Sequence, residues 1–271
     1  NRMDLNLVSS EHAKNVFLGT KLDAFDSKTK QKIKELKVEK PVEVLFEGID
    51  VQKYLTVNKQ SDLFKSISTI KEEFCFLSVG HWMQGDFGED RKNIGYTIKT
   101  FLETYKNGAF KSKKIPALIL KTHSVGTSIM DRDKILAKID QIRSTVTGTL
   151  PNIYLLHGEV TDNEMADLYN HPKVKAYVSH TKGEGFGRPL LEFAATGKPV
   201  IASGWSGQVD FLNREDSILL GGTLQKVHPS AVLKNMITKE ALWFRPNDSD
   251  VSKAYKQVTK HYKKTQEGAK R

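Results

Sequence analysis

Cysteine is nearly absent from the 271 residues: Cys75 is alone, which excludes an internal disulfide framework and a cysteine metal cluster. Its setting in the apolar run "FCFLSV" marks it as core. Long hydrophobic runs are missing too. None approaches the roughly 20 residues of a membrane span, so no membrane-spanning helix is expected. The opening "NRMDLNLVSS" lacks the charged, apolar and small-residue zones of a signal peptide, and the expected location is the cytoplasm. There is no internal repeat and no low-complexity tract. The eight histidines show no metal spacing such as a pair four apart on one helical face, so no metal site is expected. Two Asp-x-Asp patterns, "DRD" at 131 to 133 and "DSD" at 248 to 250, sit where acids favour a helix N-terminus.

Acidic residues are in short supply. Asp and Glu number 32 against 42 Lys and Arg, a formal charge of +10 that favours anionic partners: phosphates, nucleotides, nucleic acid or an anionic surface. Much of the excess is terminal, where Lys253, Lys256, Lys260, Lys263, Lys264, Lys270 and Arg271 face Glu267 alone. That segment reads as a solvated helix face and a frayed tail.

What is present is an α/β rhythm. Short apolar runs at 74 to 80, 117 to 122, 153 to 158, 176 to 180 and 199 to 203 alternate with helix-like stretches, which predicts parallel βαβ units. The runs are continuously apolar, so the sheet is expected to be covered on both faces in a Rossmann-like, doubly wound arrangement. In "VTDNEMADLY", Thr161 and Glu164 form a capping box and Val160 and Met165 a hydrophobic staple, predicting a helix over 162 to 169. The first 56 residues hold a strand "LNLVSS", a helix from Ser10 or Glu11, a Lys-rich segment and a strand "VEVLFEG". They read as the end of one unit and a connector into a domain over 57 to 246. Two late helices are predicted in "HPSAVLKNMITKEALWF" and "DSDVSKAYKQVTKHY".

The chemistry concentrates in "HTKGEGFGRPLLEFAATGKPVIAS", residues 180 to 203. After a strand, Gly183, Gly185 and Gly187 supply a turn that lets a ligand approach the backbone. Pro189 suits the start of a helix, and Gly197 with Pro199 ends it. A helix start above the carboxyl edge of a sheet favours phosphate. Glu184 and Glu192 flank the turn. On spacing alone they serve equally well as helix-start and solvated residues or as ligand contacts.

The stretch Glu184, Gly185, Phe186, Gly187, Pro189, Glu192, Ala195, Gly197, Pro199, Val200 closely resembles the nucleotide-binding signature of retaining GT-B-fold glycosyltransferases, particularly the large family 4. The likeness spans about residues 74 to 222, with a weaker match at "LNLVSSEHAKNVF". It implies a C-terminal donor-binding domain preceded by a partial N-terminal α/β unit, and a last helix over about 247 to 264 that crosses back. Glu184 would then contact the donor sugar and Glu192 the ribose. Gly185, Phe186, Gly187, Arg188, Pro189 and Leu190 would line the sugar and diphosphate. Ser206 and Gly207, in "GWSGQVDF", resemble the second glycine-containing loop of the donor pocket. Trp82 and Trp205 suit either stacking on a ligand or plain packing.

A leaving diphosphate needs cations. His81 stands where the family commonly has an arginine, and the loop before Arg91 and Lys92 is longer, so Lys92, with Arg91 in reserve, is expected to neutralise the phosphates. Lys121, at the end of a strand, is a further candidate. The implied activity is transfer of a sugar, with retention and without a metal, from a UDP- or GDP-linked donor to a carbohydrate or other acceptor, with no other cofactor. A partner chain is expected to supply the acceptor domain if the first 56 residues stand alone. The alternatives are a nucleotide-sugar-binding module without transfer activity and a basic nucleic-acid-binding protein.

Overall fold

The computed structural model describes residues 3–108, 115–234 and 236–270. In chain order the elements are β1 (Asn6–Val8), α1 (Glu11–Gly19), β2 (Leu22–Phe25), β3 (Lys32–Leu36), β4 (Val42–Val44), α2 (Val51–Leu55), α3 (Asp62–Ser68), β5 (Cys75–Val79), α4 (Ile94–Tyr105), β6 (Ala117–Lys121), α5 (Ile129–Ser144) and β7 (Ile153–Leu156). They continue as α6 (Asp162–Asn170), β8 (Val174–Ser179), α7 (Arg188–Ala194), β9 (Val200–Ser203), β10 (Ile218–Leu220), β11 (Gly222–Lys226), β12 (Leu242–Pro246), α8 (Asp248–Lys260) and α9 (Tyr262–Ala269).

Six parallel strands form the central sheet in the order β10-β9-β8-β5-β6-β7. The chain starts in the middle at β5, winds outward through β6 and β7, and returns through β8 on the other side. The strand order therefore reverses between β5 and β8, and in such sheets the crevice for ligands lies at the carboxyl ends of those two strands.

The expected covering of both faces is present. Along β5, Phe76 packs into one cluster with Ile98, Phe101, Ile135 and Tyr255, while Cys75 and Leu77 pack into the other with Ile67, Leu168, Tyr177 and Phe193. Helices α4, α5 and α8 thus cover one face, and α2, α3, α6 and α7 the other. Burial pushes the Cys75 thiol up to about 12, so it stays protonated and inert. The capping box forms as the residues dictate: Thr161 Oγ1 accepts from Glu164 N, and Glu164 Oε2 accepts from Thr161 N. "DRD" and "DSD" open α5 and α8, and the Asp131 carboxylate accepts from Ser124 N at 3.0 Å and lies 3.0 Å from His157 Nε2.

Two expectations fail. Residues 228 to 244, apart from Asn235, which lies outside the described residues, do not make a helix. Pro229–Ala231 is a single 3-10 turn, Leu233 and Ile237 form an isolated bridge, and Leu242–Pro246 is β12. Antiparallel pairing of β12 with β11, together with Phe244 N donating to Lys182 O, satisfies this backbone instead. The basic terminus is also not a frayed tail within the described residues, which exclude Arg271. It continues as α9, anchored by Tyr262 edge-on to Phe74.

The Lys-rich segment forms the antiparallel hairpin β2–β3, and β1 pairs in parallel with β4. Ser10 caps α1 as its residue type predicts.

Candidate functional site

The glycine turn sits at the point of strand reversal. Gly187 takes a left-handed backbone (φ +99°) as the N-cap of α7, placing Arg188 first and Pro189 second in the helix. Beneath the turn lies the loop that follows β9. Ser206 Oγ accepts from Glu184 N at 2.9 Å and donates to Gln208 Oε1 at 2.8 Å, while Gly207 N donates to Glu184 O at 3.0 Å. Contact is so close that a Cβ on Gly207 would stand 2.3 Å from Gly185 O. Ser206 itself is held at φ +75°, a conformation costing about 1–3 kcal/mol that its two hydrogen bonds offset. Ser206 and Gly207 therefore support the turn from below rather than lining the crevice.

The N-terminal unit grips the same turn: Ser10 Oγ donates to Gly185 O at 2.6 Å, and Glu11 N donates to Asp210 Oδ2 at 2.8 Å. Phe186 is buried between Phe46 and Phe211, and Leu190 is in the core, so both could meet a ligand only through their backbones. Gly185 is exposed, with no atom near the position of an added Cβ.

Glu184 is the charge centre of the crevice. Its side chain is 9% exposed, with Lys92 Nζ 2.6 Å from one oxygen and Arg91 Nη1 3.0 Å from the other. Arg91 Nη1 also donates to Gly183 O at 2.7 Å. Burial alone would raise the carboxyl, but the charges of Lys92 and Arg91 outweigh it and hold Glu184 below its ordinary value. Lys92 reaches this position by laying its stem over Gly80, where an added Cβ would stand 3.2 Å from it.

Glu192 is also buried, but its partners differ. It accepts from Tyr54 Oη at 2.7 Å, Tyr169 Oη at 3.1 Å and Arg188 Nε at 2.9 Å. Burial and the neighbouring carboxylate raise Tyr54 to about 12, so the phenol remains a donor. A carboxylate accepts about four hydrogen bonds, which leaves room for one more. Arg188 is thereby tied to Glu192 rather than free in the turn. Tyr54 and Tyr169 escaped the sequence reading because nothing in a lone tyrosine 138 or 23 residues away signals its partner.

Beside the Arg91–Glu184–Lys92 cluster opens a cavity of about 530 Å3, lined among others by His81, Arg91, Lys92, Lys121, His123 and Glu192. That size suits a nucleotide-like ligand. Lys121 is 8% exposed and donates to Gly158 O at 2.6 Å, and burial lowers its pKa. Of the candidates read from the sequence, Lys92, Arg91, Lys121 and Glu192 line this one cavity, while Glu184 is outside its lining and reaches it through its ion pairs with the first two.

Trp82 and Trp205 are both packing residues. Trp82 is buried beneath Lys138, and Trp205 stacks on Phe244. A second cavity of about 510 Å3, lined by Trp82, Phe87, Lys99 and Lys138, lies away from the motif residues. Among the described residues no group of three or more His, Cys, Asp or Glu is placed to hold a metal, and no helix is long and apolar enough to cross a membrane.

No protein-family model matches the sequence, and no curated protein matches it significantly. Solved structures do match. Sucrose-phosphate synthase from Thermosynechococcus elongatus is 14% identical, with a TM-score of 0.58 over 99% of this chain and 52% of that one. The C-terminal domain of a glycosyl transferase group 1 family protein from Francisella tularensis is 14% identical, with a TM-score of 0.52 over 82% of this chain and 95% of that domain. HepE from Anabaena, in complex with UDP and glucose, is 13% identical, with a TM-score of 0.54 over 84% of this chain and 50% of that one. The chain spans about half the length of the sucrose-phosphate synthase and HepE chains, and nearly all of the isolated C-terminal domain. It has the GT-B glycosyltransferase fold.

Proposed function

We propose that this chain binds a nucleotide-activated sugar, UDP- or GDP-linked, in the cavity at the strand reversal and transfers the sugar to a carbohydrate or other acceptor with retention of configuration. The observation that carries this reading is the Arg91–Glu184–Lys92 cluster, whose two cations line one cavity together with Lys121 and Glu192. A fold neighbour crystallised with UDP and glucose supports the ligand class.

Three cations against one carboxylate leave this end of the cavity positive, as a diphosphate requires. Glu184 would accept donor-sugar hydroxyls, Glu192 would use its remaining lone pair on the ribose, and the backbone from Gly185 to Arg188 would meet the diphosphate. In the reaction the bond from the anomeric carbon to the diphosphate breaks, and the acceptor oxygen bonds that carbon on the same face. The acceptor proton leaves on the departing phosphate oxygen, so neither glutamate has to move a proton. Arg91, Lys92 and Lys121 would stabilise the developing negative charge, the role a metal ion would otherwise fill.

The acceptor surface is proposed to include the N-terminal unit, completed by a partner chain or further sequence. The chain would work in the cytoplasm, where nucleotide sugars are made.

The test is a calorimetric titration with UDP-, GDP- and ADP-sugars, followed by an assay for donor consumption with candidate acceptors. One sugar nucleotide should bind, and Lys92→Met should weaken it at least tenfold. Binding without turnover under any acceptor would favour a binding module. Salt-sensitive nucleic-acid binding with no response to any sugar nucleotide would overturn the reading.

A further inference from the structure

Two imidazoles stand in the cavity wall that none of these roles uses. Pairing between β5 and β6 continues beyond the strands: Gly80 N donates to Lys121 O at 3.1 Å and Trp82 N to His123 O at 2.9 Å. With the period of two in extended chain, His81 shares a face with Val79, and His123 with Lys121, and all four line the cavity. The register therefore sets the two rings side by side, with centroids 4.1 Å apart. Neither ring makes a hydrogen bond or ion pair among the described residues, although the Asp131 charge reaches His123 and partly offsets the neighbouring cations.

We propose that His81 and His123 form a proton-coupled anion clamp, a pair that takes up a proton when the diphosphate of a sugar nucleotide enters the cavity and then donates to it. The inference rests on the donor-site reading above and adds to it two recognition residues and a pH dependence.

The charged surroundings support it. Around the pair stand Arg91 and Lys92 from the segment before α4, Lys121 on β6, and His157 at the end of β7, itself 3.0 Å from Asp131 of α5. The nearby carboxylates are committed: Glu184 to Arg91 and Lys92, Glu192 to Arg188 and the two tyrosines, and Asp131 to His157 and the Ser124 turn. Glu159 is exposed on the rim. Burial first, then the charges of Lys92, Lys121 and Arg91, push His81 below its ordinary value; burial, His81 and Lys121 do the same for His123. Before a ligand binds, the pair is thus mainly neutral near pH 7. A diphosphate among the same cations cancels their surplus charge and accepts hydrogen bonds from the rings, which favours the imidazolium. Two imidazolium rings with centroids 4.1 Å apart would repel each other, so one proton rather than two is expected.

A sugar nucleotide is the right probe. Its diphosphate has no terminal phosphate ionising near pH 6, whereas a free nucleoside diphosphate would exchange its own proton. UDP-glucose, GDP-mannose and ADP-glucose are titrated at about pH 6.5 in two buffers of different ionisation enthalpy, and the binding partner is then titrated from about pH 6 to 8. The clamp predicts uptake of roughly one proton per ligand, and affinity that strengthens up to about tenfold per pH unit as pH falls. In the double variant His81→Gln, His123→Gln, which keeps size and a donor, uptake and pH dependence should both vanish while weaker binding persists. Binding without proton uptake, or uptake that survives in the double variant, would overturn the clamp and leave the donor site standing. If none of the three sugar nucleotides binds, the donor-site reading falls and the clamp with it.

Discussion

The two ends of the cavity hold their glutamates by opposite means. Glu184 is clasped by two cations from one loop, while Glu192 is clasped by two neutral phenols and a single, more exposed guanidinium. With Lys121 nearby, the first end keeps a surplus of positive charge that only an anion can balance. The second end is balanced already and offers a lone pair to a neutral hydroxyl. A ligand with one charged stretch and one neutral polyol fits that polarity, and the turn between the ends fixes their separation.

The severest way to break the arrangement is to move the turn itself. Gly207→Ala would drive a methyl into Gly185 O, and we expect a loss of about 3 kcal/mol in stability together with loss of sugar-nucleotide binding, read by thermal unfolding and calorimetry. Next comes the phenol end. Glu192→Ala leaves Tyr54 and Tyr169 buried without their acceptor and should cost about 2 kcal/mol, whereas Glu192→Gln, which retains an acceptor oxygen, should cost about half as much; equal costs would dismiss the two tyrosines as real partners.

Lys121→Met probes the cationic end without touching Glu184. Because Lys121 is buried against a lone carbonyl, stability should hold or rise, while sugar-nucleotide affinity falls by about tenfold. The smallest expected effect is in acid. The depressed Glu184 pKa contributes stability that is fully present above the ordinary Glu value of about 4.3 and is lost as pH falls through the lower folded value. Glu184→Gln should flatten the stability profile below about pH 4. If its profile there parallels the wild type, the two cations do not hold Glu184 as described.

Five of the six strands of the central sheet were legible because they are continuously apolar and bounded by local signals such as Thr161 and Glu164 before α6 and Gly187 before α7; β10, three residues long, was not. The motif carried the turn. The β2–β3 hairpin was not legible, since all five residues of "KIKEL" are exposed and no buried face writes an alternation into the sequence. The rest of the N-terminal unit was legible only through local signals, which gave β1, α1 and β4, since α1 buries no residue and Leu7, Phe17, Leu22 and Phe25 are exposed. Residues 228 to 244 misled for the converse reason: Val232, Leu233, Ile237 and Ala241 have helical spacing, but Leu233 bridges to Ile237 and the chain from Leu242 pairs with β11, so tertiary pairing outweighs local preference. Within the site, the residue types were readable and the pairings were not, because Glu184 meets Arg91 and Lys92 only through the loop between β5 and α4.

The central claim, that a sugar nucleotide lies between Glu184 and Glu192 against the turn, is tested most directly by amide hydrogen exchange with and without the tightest-binding sugar nucleotide. Peptides covering residues 183 to 190 and 80 to 92 should gain protection on binding, while the hairpin of β2 and β3 stays unchanged. Binding that protects other segments and leaves the turn exchanging at its free rate would contradict the claim.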